Sequence, residues 1–309
     1  MSEGAGVVAV VVTWNRAALL ERILRAVDAQ SVRPELVVVV DNASTDETPE
    51  VLARLAEELD TALDVVRLDR NTGGAGGFHT GVERAVERPG GRMLWLMDDD
   101  GTPPPDCLET LLRYADRYDF LGPAVVAEDD PSRLCFPIRV PGSARVVHRL
   151  DDVEAAADGD VLDGVVIPFN GVLVTRDLVD RIGSPREEFF IWGDDVEYLW
   201  RAKRAGARVG TVVASRFTHP ATDDLGTPMM AGRTTYNHSP SDLKHYCMAR
   251  NNVVNLRDYV GWHGVLAFVL KTLWFYSFTR PDAGRLRMSL RAMRAGLRND
   301  FTGHWALLA

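Results

Sequence analysis

Four short runs rich in β-branched and other apolar residues mark the first hundred positions: VVAVVVTW (7–14), ELVVVVD (35–41), LDVVRLD (63–69) and RMLWLMD (92–98). Runs of this kind suit strands buried on both faces, as in a parallel sheet covered by helices. The intervening segments have helical spacing. RAALLERILRAVDAQS (16–31) puts Leu19, Leu20, Ile23, Leu24 and Val27 on adjoining turns. NASTDETPEVLARLAEEL (42–59) opens on Ser44, Thr45, Glu47 and Thr48, which supply helix-start chemistry, with Pro49 suited to a first turn. NTGGAGGF (71–78) reads as a glycine loop with a helix after it. Strand–helix alternation at this pitch predicts parallel strands joined by right-handed crossovers, an α/β layered fold.

Past residue 120 the rhythm loosens. Residues 159–183 predict two short strands around Phe169-Asn170-Gly171 and then a helix. DDVEYLWRAKRAG (194–206) predicts another helix, and ARVGTVVASRFTHP (207–220) a strand ending at His219. Residues 221–241, rich in Gly, Pro, Ser, Thr and Met, predict a mobile loop. The expected division is a catalytic domain over 1–220 (halves 1–120 and 121–220), a flexible loop over 221–241 and a helical region over 242–309.

Bulk properties narrow the function. At 309 residues the chain is long for one domain and short for two large ones. A formal net charge of −9 argues against a general nucleic-acid binder. Cys107, Cys135 and Cys247 form no CxxC pair and suggest reduced thiols in a cytosolic protein. The N-terminal apolar run is only strand length and lacks a basic flank, so no signal peptide is expected.

Ligands of parallel α/β sheets bind at the carboxyl ends of the strands. Those ends carry Thr13-Trp14-Asn15, Asp41-Asn42, Asn71 with its glycines, and Asp98-Asp99-Asp100. Three adjacent carboxylates are tolerated where a cation neutralises them. In extended chain Asp98 and Asp100 point the same way, so both could hold one hard divalent ion. The plainer alternative is a solvated turn before GTPPPD. Contiguous aspartates do not fit an EF-hand loop. His79 stands where a GxGxxG pattern needs glycine, and a GxxxxGK[ST] loop is absent. His219 alone is an ordinary strand-end histidine, and Asp194-Asp195 alone an ordinary helix start.

Taken together, the motifs resemble the family 2 glycosyltransferases of GT-A fold. VVTWNR (11–16) resembles their opening strand and nucleotide-binding turn, VVVVDNASTDET (37–48) the second nucleotide-binding strand, and DDD (98–100) the metal-binding DXD. WGDDVEYLWR (192–201) resembles the acidic motif that carries the catalytic base, with GDD where many relatives have GED. NTGGAGGF, DDDG, PSRLCFPIR and FFIWGDDVEY further resemble actinobacterial galactofuranosyltransferases of cell-wall galactan assembly. Rhamnosyltransferases share the glycine loop and the DDD.

The resemblance implies a Rossmann-like, mostly parallel central sheet flanked by helices, with a C-terminal helical extension. It also implies an inverting, metal-dependent sugar transfer. Asp98, Asp100 and His219 would hold Mn2+ or Mg2+. Thr13, Asn15, Arg16 and Asp41 would hold the base and ribose. Asn71, Gly73 and Gly74 would admit the donor close to the backbone, with Asp98 and Asp99 also on the donor side. Asp195 would be the base, and Asp194 and Trp192 would contact the acceptor. The implied donor is UDP-galactofuranose, and the acceptor a polyprenyl-diphosphate-linked glycan at the inner face of the cell membrane. The alternatives are a dTDP-rhamnose transferase, an inactive scaffold of the same fold and a nucleotidyltransferase. TWNRAALLE lacks the glycine-rich basic loop expected of the last.

The C-terminal region suits such an acceptor. VGWHGVLAFVLKTLWFYSF (260–278) is the most apolar stretch, interrupted by Lys271, and residues 280–298 carry six arginines against one aspartate. Both features predict an interfacial helix or hairpin on anionic lipid, in a peripheral cytoplasmic protein. A helix packed on the catalytic domain or a contact between copies is the alternative, and homo-oligomers remain compatible with it.

Overall fold

The computed structural model describes residues 6–220 and 226–308. The chain divides into two compact units. One runs to Pro185 and resumes at Arg201 through the strand that ends at His219. The other comprises Arg186–Trp200 and the C-terminal part of the chain. The acidic motif thus groups with the C-terminal helices, and not with the sheet that precedes it in sequence.

The first unit is built on a sheet of ten strands among the described residues. Strands β1 (Val7–Thr13), β2 (Leu36–Asp41), β3 (Leu63–Arg67) and β4 (Met93–Asp98) are parallel, in the order β3-β2-β1-β4. Helices α1 (Ala17–Asp28), α2 (Thr48–Glu58) and α3 (Gly73–Val86) connect them. Every residue of β1 is buried, as its unbroken apolar run requires. Leu20, Ile23, Leu24 and Val27 of α1 join Trp95 in the main core.

The second half of this sheet is mixed. After α4 (Cys107–Leu112) come β5 (Phe120–Ala127), β6 (Arg133–Arg139), β7 (Val146–Arg149), α5 (Leu150–Ala156) and β8 (Val161–Asp163). Strand β9 (Asn170–Thr175) inserts antiparallel between β4 and β5, and α6 (Arg176–Ile182) follows it. Helix α7 (Asp194–Arg204) leads to β10 (Val209–His219), which lies parallel to β5.

The glycine-rich segment departs from expectation. Helix α3 starts at Gly73, so most of the expected loop is helix. A Cβ on Gly77 would come within 2.4 Å of Val12 Cγ1, and one on Gly81 within 2.4 Å of Val10 Cγ1. These glycines let α3 lie close on β1, and that packing outweighs their poor helix propensity.

The second unit contains the start of α7, a hairpin of β11 (Thr227–Met229) and β12 (Thr234–Tyr236), and helices α8 (Asp242–Asn255), α9 (Trp262–Trp274) and α10 (Ala283–Leu297). The hairpin falls inside the expected loop over 221–241, of which residues 221–225 lie outside the described residues. A π-helical turn, Phe275–Thr279, extends α9. None of the described helices is long and apolar enough to cross a membrane.

Candidate active site

In the first unit the triple aspartate sits where β4 ends, and side chains of β1, the turn after it and β10 meet Asp99 and Asp100. Thr13 Oγ1 donates to Asp99 Oδ2 at 2.7 Å. Arg16 Nη1 donates to both Asp99 Oδ1 (3.0 Å) and Asp100 Oδ2 (2.8 Å). His219 Nε2 lies 3.2 Å from Asp100 Oδ1. Burial raises Asp99 above the usual carboxylate range despite Thr13 and Arg16. Burial acts the same way on Asp100, but His219 and Arg16 prevail and hold that carboxyl below its ordinary value. His219 responds in reverse: its burial favours the neutral ring, yet Asp100 raises it well above the ordinary imidazole value.

Local backbone explains how Asp100 and His219 meet. A Cβ on Gly101 would fall 1.9 Å from the Phe217 ring, so only glycine lets that ring of β10 lie across the turn. Thr102 and Thr218 then exchange backbone hydrogen bonds of 2.8 and 3.0 Å, which brings the two chain segments side by side.

The expected pairing of Asp98 with Asp100 does not form in this way. Strand geometry stops at Asp98, whose N–H donates to the Phe169 carbonyl at 3.0 Å, and Asp99-Asp100 follow in a turn. Alternation therefore lapses, and the neighbours Asp99 and Asp100 share one guanidinium. Among the described residues no group of three or more His, Cys, Asp or Glu is gathered to hold a metal ion. The two candidate ligands seen in contact are Asp100 and His219.

Those two residues nevertheless fit a divalent cation. His219 Nδ1 is tied to the Pro220 carbonyl at 2.8 Å, a bond that leaves Nε2 facing Asp100. Asp100 Oδ1 is buried without a hydrogen bond of good geometry. Cis ligands of an octahedral Mg2+, with bonds of about 2.1 Å, stand about 3 Å apart. The observed 3.2 Å between Nε2 and Oδ1 is close to that edge.

The remaining first-unit residues build the surrounding turns. Asn15 adopts φ 53°. Its N–H donates to Ser44 Oγ (2.9 Å) and its side-chain oxygen accepts from the Thr45 N–H (2.7 Å), so the turns after β1 and β2 are locked together. Asp41 is buried, accepts from the Ser44 N–H at 2.8 Å and lies 3.7 Å from Arg67 Nε. Asn71 Oδ1 accepts from the Gly73 N–H at 2.7 Å, with Gly73 at φ 72°. A Cβ on Gly74 would meet nothing within 4 Å, so open space borders the start of α3 there.

Asn42, placed by the sequence at a strand end without a role, binds the same turn. Its amide donates to the Gly73 carbonyl (2.9 Å) while its oxygen accepts from Thr72. Asp46 similarly accepts from the N–H groups of Ala17 (3.1 Å) and Thr48 (3.1 Å). The turn preferences of Asn and Asp were the available signal for both.

In the second unit, Asp194 and Asp195 begin α7. Asp194 is buried and Asp195 partly exposed. Burial, aided by the neighbouring Asp195 charge, pushes Asp194 up to about 8. Burial also raises Asp195, against backbone N–H groups of the helix start that favour its ionised form. Two carboxyls so coupled titrate as a pair.

The backbone leading into this pair is strained. Phe190, Trp192 and Gly193 have φ of 64°, 74° and 82°. Helix α8 holds it in place. Asn251 Nδ2 reaches the carbonyls of Phe189 (3.0 Å), Ile191 (3.1 Å) and Trp192 (2.7 Å). Asn255 Nδ2 reaches that of Gly193 at 2.8 Å. Arg250, fully buried, donates to the carbonyls of Phe189 (2.7 Å) and Phe301 (3.2 Å) and to His304 Nδ1 (2.9 Å). Burial and Arg250 together push His304 down to about 4. The sequence offered a signal for this clamp in Arg250, Asn251 and Asn255 among the apolar residues of MARNNVVN.

The α/β sheet with an acidic turn at the end of its fourth strand is the GT-A fold, and comparisons with solved structures agree on that fold. The mannosyltransferase PcManGT from Pyrobaculum calidifontis, in complex with GDP-Man and Mn2+, superposes with a TM-score of 0.57 at 20% identity. That match covers 99% of this chain and 79% of the mannosyltransferase, and at such identity it speaks for the fold alone. The glycosyl transferase family 2 profile matches residues 8–154. Galactofuranosyltransferase GlfT1 of Mycolicibacterium smegmatis is 35% identical, over 96% of this chain and 97% of its own. GlfT1 of Mycobacterium tuberculosis is 34% identical, over 96% of each chain. The chain belongs to glycosyltransferase family 2 and is a glycosyltransferase enzyme.

Proposed function

We propose that this enzyme transfers galactofuranose from UDP-galactofuranose, with inversion, to a hydroxyl of a polyprenyl-diphosphate-linked glycan. The observation that carries the transferred sugar is full-length similarity to the two galactofuranosyltransferases, over 96% of the chain, and the acceptor follows from the motif resemblance. The four acidic and histidine groups on which the chemistry would depend, Asp99, Asp100, Asp195 and His219, are all present.

The acceptor oxygen attacks the anomeric carbon as the bond from that carbon to the diphosphate breaks, through an oxocarbenium-like state. Asp195 takes the proton of the attacking hydroxyl, and its raised pKa makes it a stronger base than an ordinary carboxylate. Asp194 and Trp192 contact the acceptor. Thr13, Asn15, Arg16 and Asp41 hold the nucleoside, with Asp98 and Asp99 on the donor side. Asn71, Gly73 and Gly74 give the donor room beside α3.

Asp100 and His219 would hold a divalent cation, which supplies charge neutralisation for the departing diphosphate. The mannosyltransferase complex with a nucleotide sugar and Mn2+ supports a cation of this type in the fold. Binding it requires His219 to give up the proton it shares with Asp100. Arg16 keeps Asp99 and Asp100 compensated before donor and cation arrive.

A donor panel tests this reading. With Mn2+ or Mg2+, UDP-galactofuranose is expected to turn over and dTDP-rhamnose to be left intact. Turnover of dTDP-rhamnose instead would overturn the donor assignment, and no nucleotide binding with any metal would favour an inactive scaffold.

A further inference from the structure

Helix α9 and the π-helical turn after it are apolar on both sides. One side is covered: Val265 is buried, and Phe268 and Val269 pack against Tyr246, Ala249 and Met293. The other side is bare. Trp262, Leu266, Leu270, Trp274 and Phe278 are 66%, 59%, 55%, 41% and 70% exposed. They recur every fourth residue and form one continuous stripe. A helix apolar all round belongs in an interior, so this one lacks half its cover.

Lys271 does not interrupt the stripe. Its ammonium donates to Thr234 Oγ1 of β12 at 2.7 Å, and the residue is half-buried. Helix α10, packed against α9 and α8, exposes Arg287, Arg291, Arg294 and Arg298 along one face, with Leu290 and Leu297 among them. Six arginines against one aspartate over residues 280–298 stand out in a chain of net charge −9.

We propose that this surface docks on an anionic lipid bilayer, with α9 lying in the membrane plane. The stripe enters the boundary between headgroups and acyl chains, where tryptophan partitions well. The α10 arginines meet lipid phosphates. No described helix can cross a bilayer, which is consistent with an in-plane arrangement. A second copy of the chain fits this patch less well. A two-fold contact sets a patch against itself and would bring the arginine-rich helices of both copies together. The inference extends the lipid-linked-acceptor reading, but vesicle binding is measured with no sugar donor present, so each can fail alone.

The test is co-sedimentation of the full chain with vesicles of phosphatidylcholine, with and without phosphatidylglycerol. The unmodified protein is expected to bind the anionic vesicles more tightly, and less so as salt rises. A Leu266→Ser, Leu270→Ser, Phe278→Ser variant should bind both vesicle types about tenfold more weakly or worse. An Arg287→Gln, Arg291→Gln, Arg294→Gln, Arg298→Gln variant should lose the preference for anionic vesicles and its salt dependence. Thermal melts and donor hydrolysis, unchanged in both variants, verify folding. Should either variant misfold, brominated lipids give a second measurement, since they are expected to quench the tryptophan fluorescence of the unmodified chain. Failure of the unmodified chain to bind anionic vesicles, or wild-type binding by both folded variants, would overturn the proposal. So would a dimer that the Leu/Phe variant converts to monomer without any vesicle binding by the parent.

Discussion

Asn251 donates its side-chain amide to the carbonyl oxygen of Trp192 at 2.7 Å, and the same nitrogen reaches the carbonyls of Phe189 and Ile191. A single buried side chain of α8 thereby fixes the backbone just ahead of Asp194-Asp195. Replacing Asn251 with Ala takes this donor from the Ile191 and Trp192 carbonyls, while that of Phe189 keeps Arg250. A stability loss of about 2–3 kcal/mol is expected, because unsatisfied buried polar groups are costly. In the folded fraction kcat should fall about 10- to 100-fold with donor affinity retained, since misplacing a base slows chemistry more than binding. Asn251→Asp should fare no better, because a carboxylate oxygen cannot donate to a carbonyl. Urea unfolding and steady-state kinetics of both variants measure this.

The acidic pair sets the pH dependence. As the proposed base Asp195 works only when ionised, and both pair members titrate above the ordinary carboxylate value. Activity should therefore rise with pH through a limb displaced upward from the usual carboxylate range. Asp194→Asn leaves the burial of Asp195 in place and should shift that limb little, because burial and not an Asp194 charge raises Asp195. The profile of kcat/KM for both proteins reads the limb directly.

Stability follows the same linkage with the opposite sense. The folded state holds a proton on Asp194 that the unfolded chain releases near pH 4. Its stabilising contribution is complete below that pH and is lost as pH rises toward about 8. Asp194→Asn should thus gain thermal stability relative to the parent between pH 4 and pH 8, roughly the interval between the two pKa values. Melting temperatures across that interval measure the gain.

Glycines three positions apart in the same helix, within one turn, have separable roles. Gly77→Ala places a Cβ 2.4 Å from Val12 Cγ1, and overpacking against this buried strand should cost about 1–3 kcal/mol. Gly74→Ala meets nothing within 4 Å and should leave the melting temperature nearly unchanged. If the space beside Gly74 receives the donor, that variant should instead weaken nucleotide-sugar binding, measured by calorimetry.

Metal dependence should follow Asp100 and His219. His219→Ala and Asp100→Asn should each weaken Mn2+-dependent nucleotide binding by about tenfold or more, as loss of one protein ligand requires. Asp98→Asn should have a smaller effect on metal affinity, because the two candidate ligands seen in contact are Asp100 and His219. Titrations with Mn2+ at fixed nucleotide rank the three.

The parallel strands were legible because burial on both faces writes continuous apolar runs, as in β1 and β2. Position within the sheet was less so. Nothing local in FNGVLVT states that β9 lies antiparallel between β4 and β5. The helix α3 hides among glycines because close approach to Val10 and Val12 overrides propensity. At the site, residue types were visible while geometry was not. Alternation failed at Asp98-Asp99-Asp100 because the strand ends there, and the pairing of Asp100 with His219 depends on Gly101 yielding to Phe217. The clamp of Arg250, Asn251 and Asn255 acts across some sixty residues, a separation that local patterns do not encode.

The most direct measurement is galactofuranose transfer from UDP-galactofuranose to a polyprenyl-diphosphate glycan, comparing the parent enzyme with Asp195→Asn. The prediction is transfer by the parent and a loss of about a thousandfold or more in kcat for the variant, with binding of the donor unchanged. Equal turnover by the two proteins would contradict Asp195 as the base, and transfer only from a different nucleotide sugar would contradict the donor.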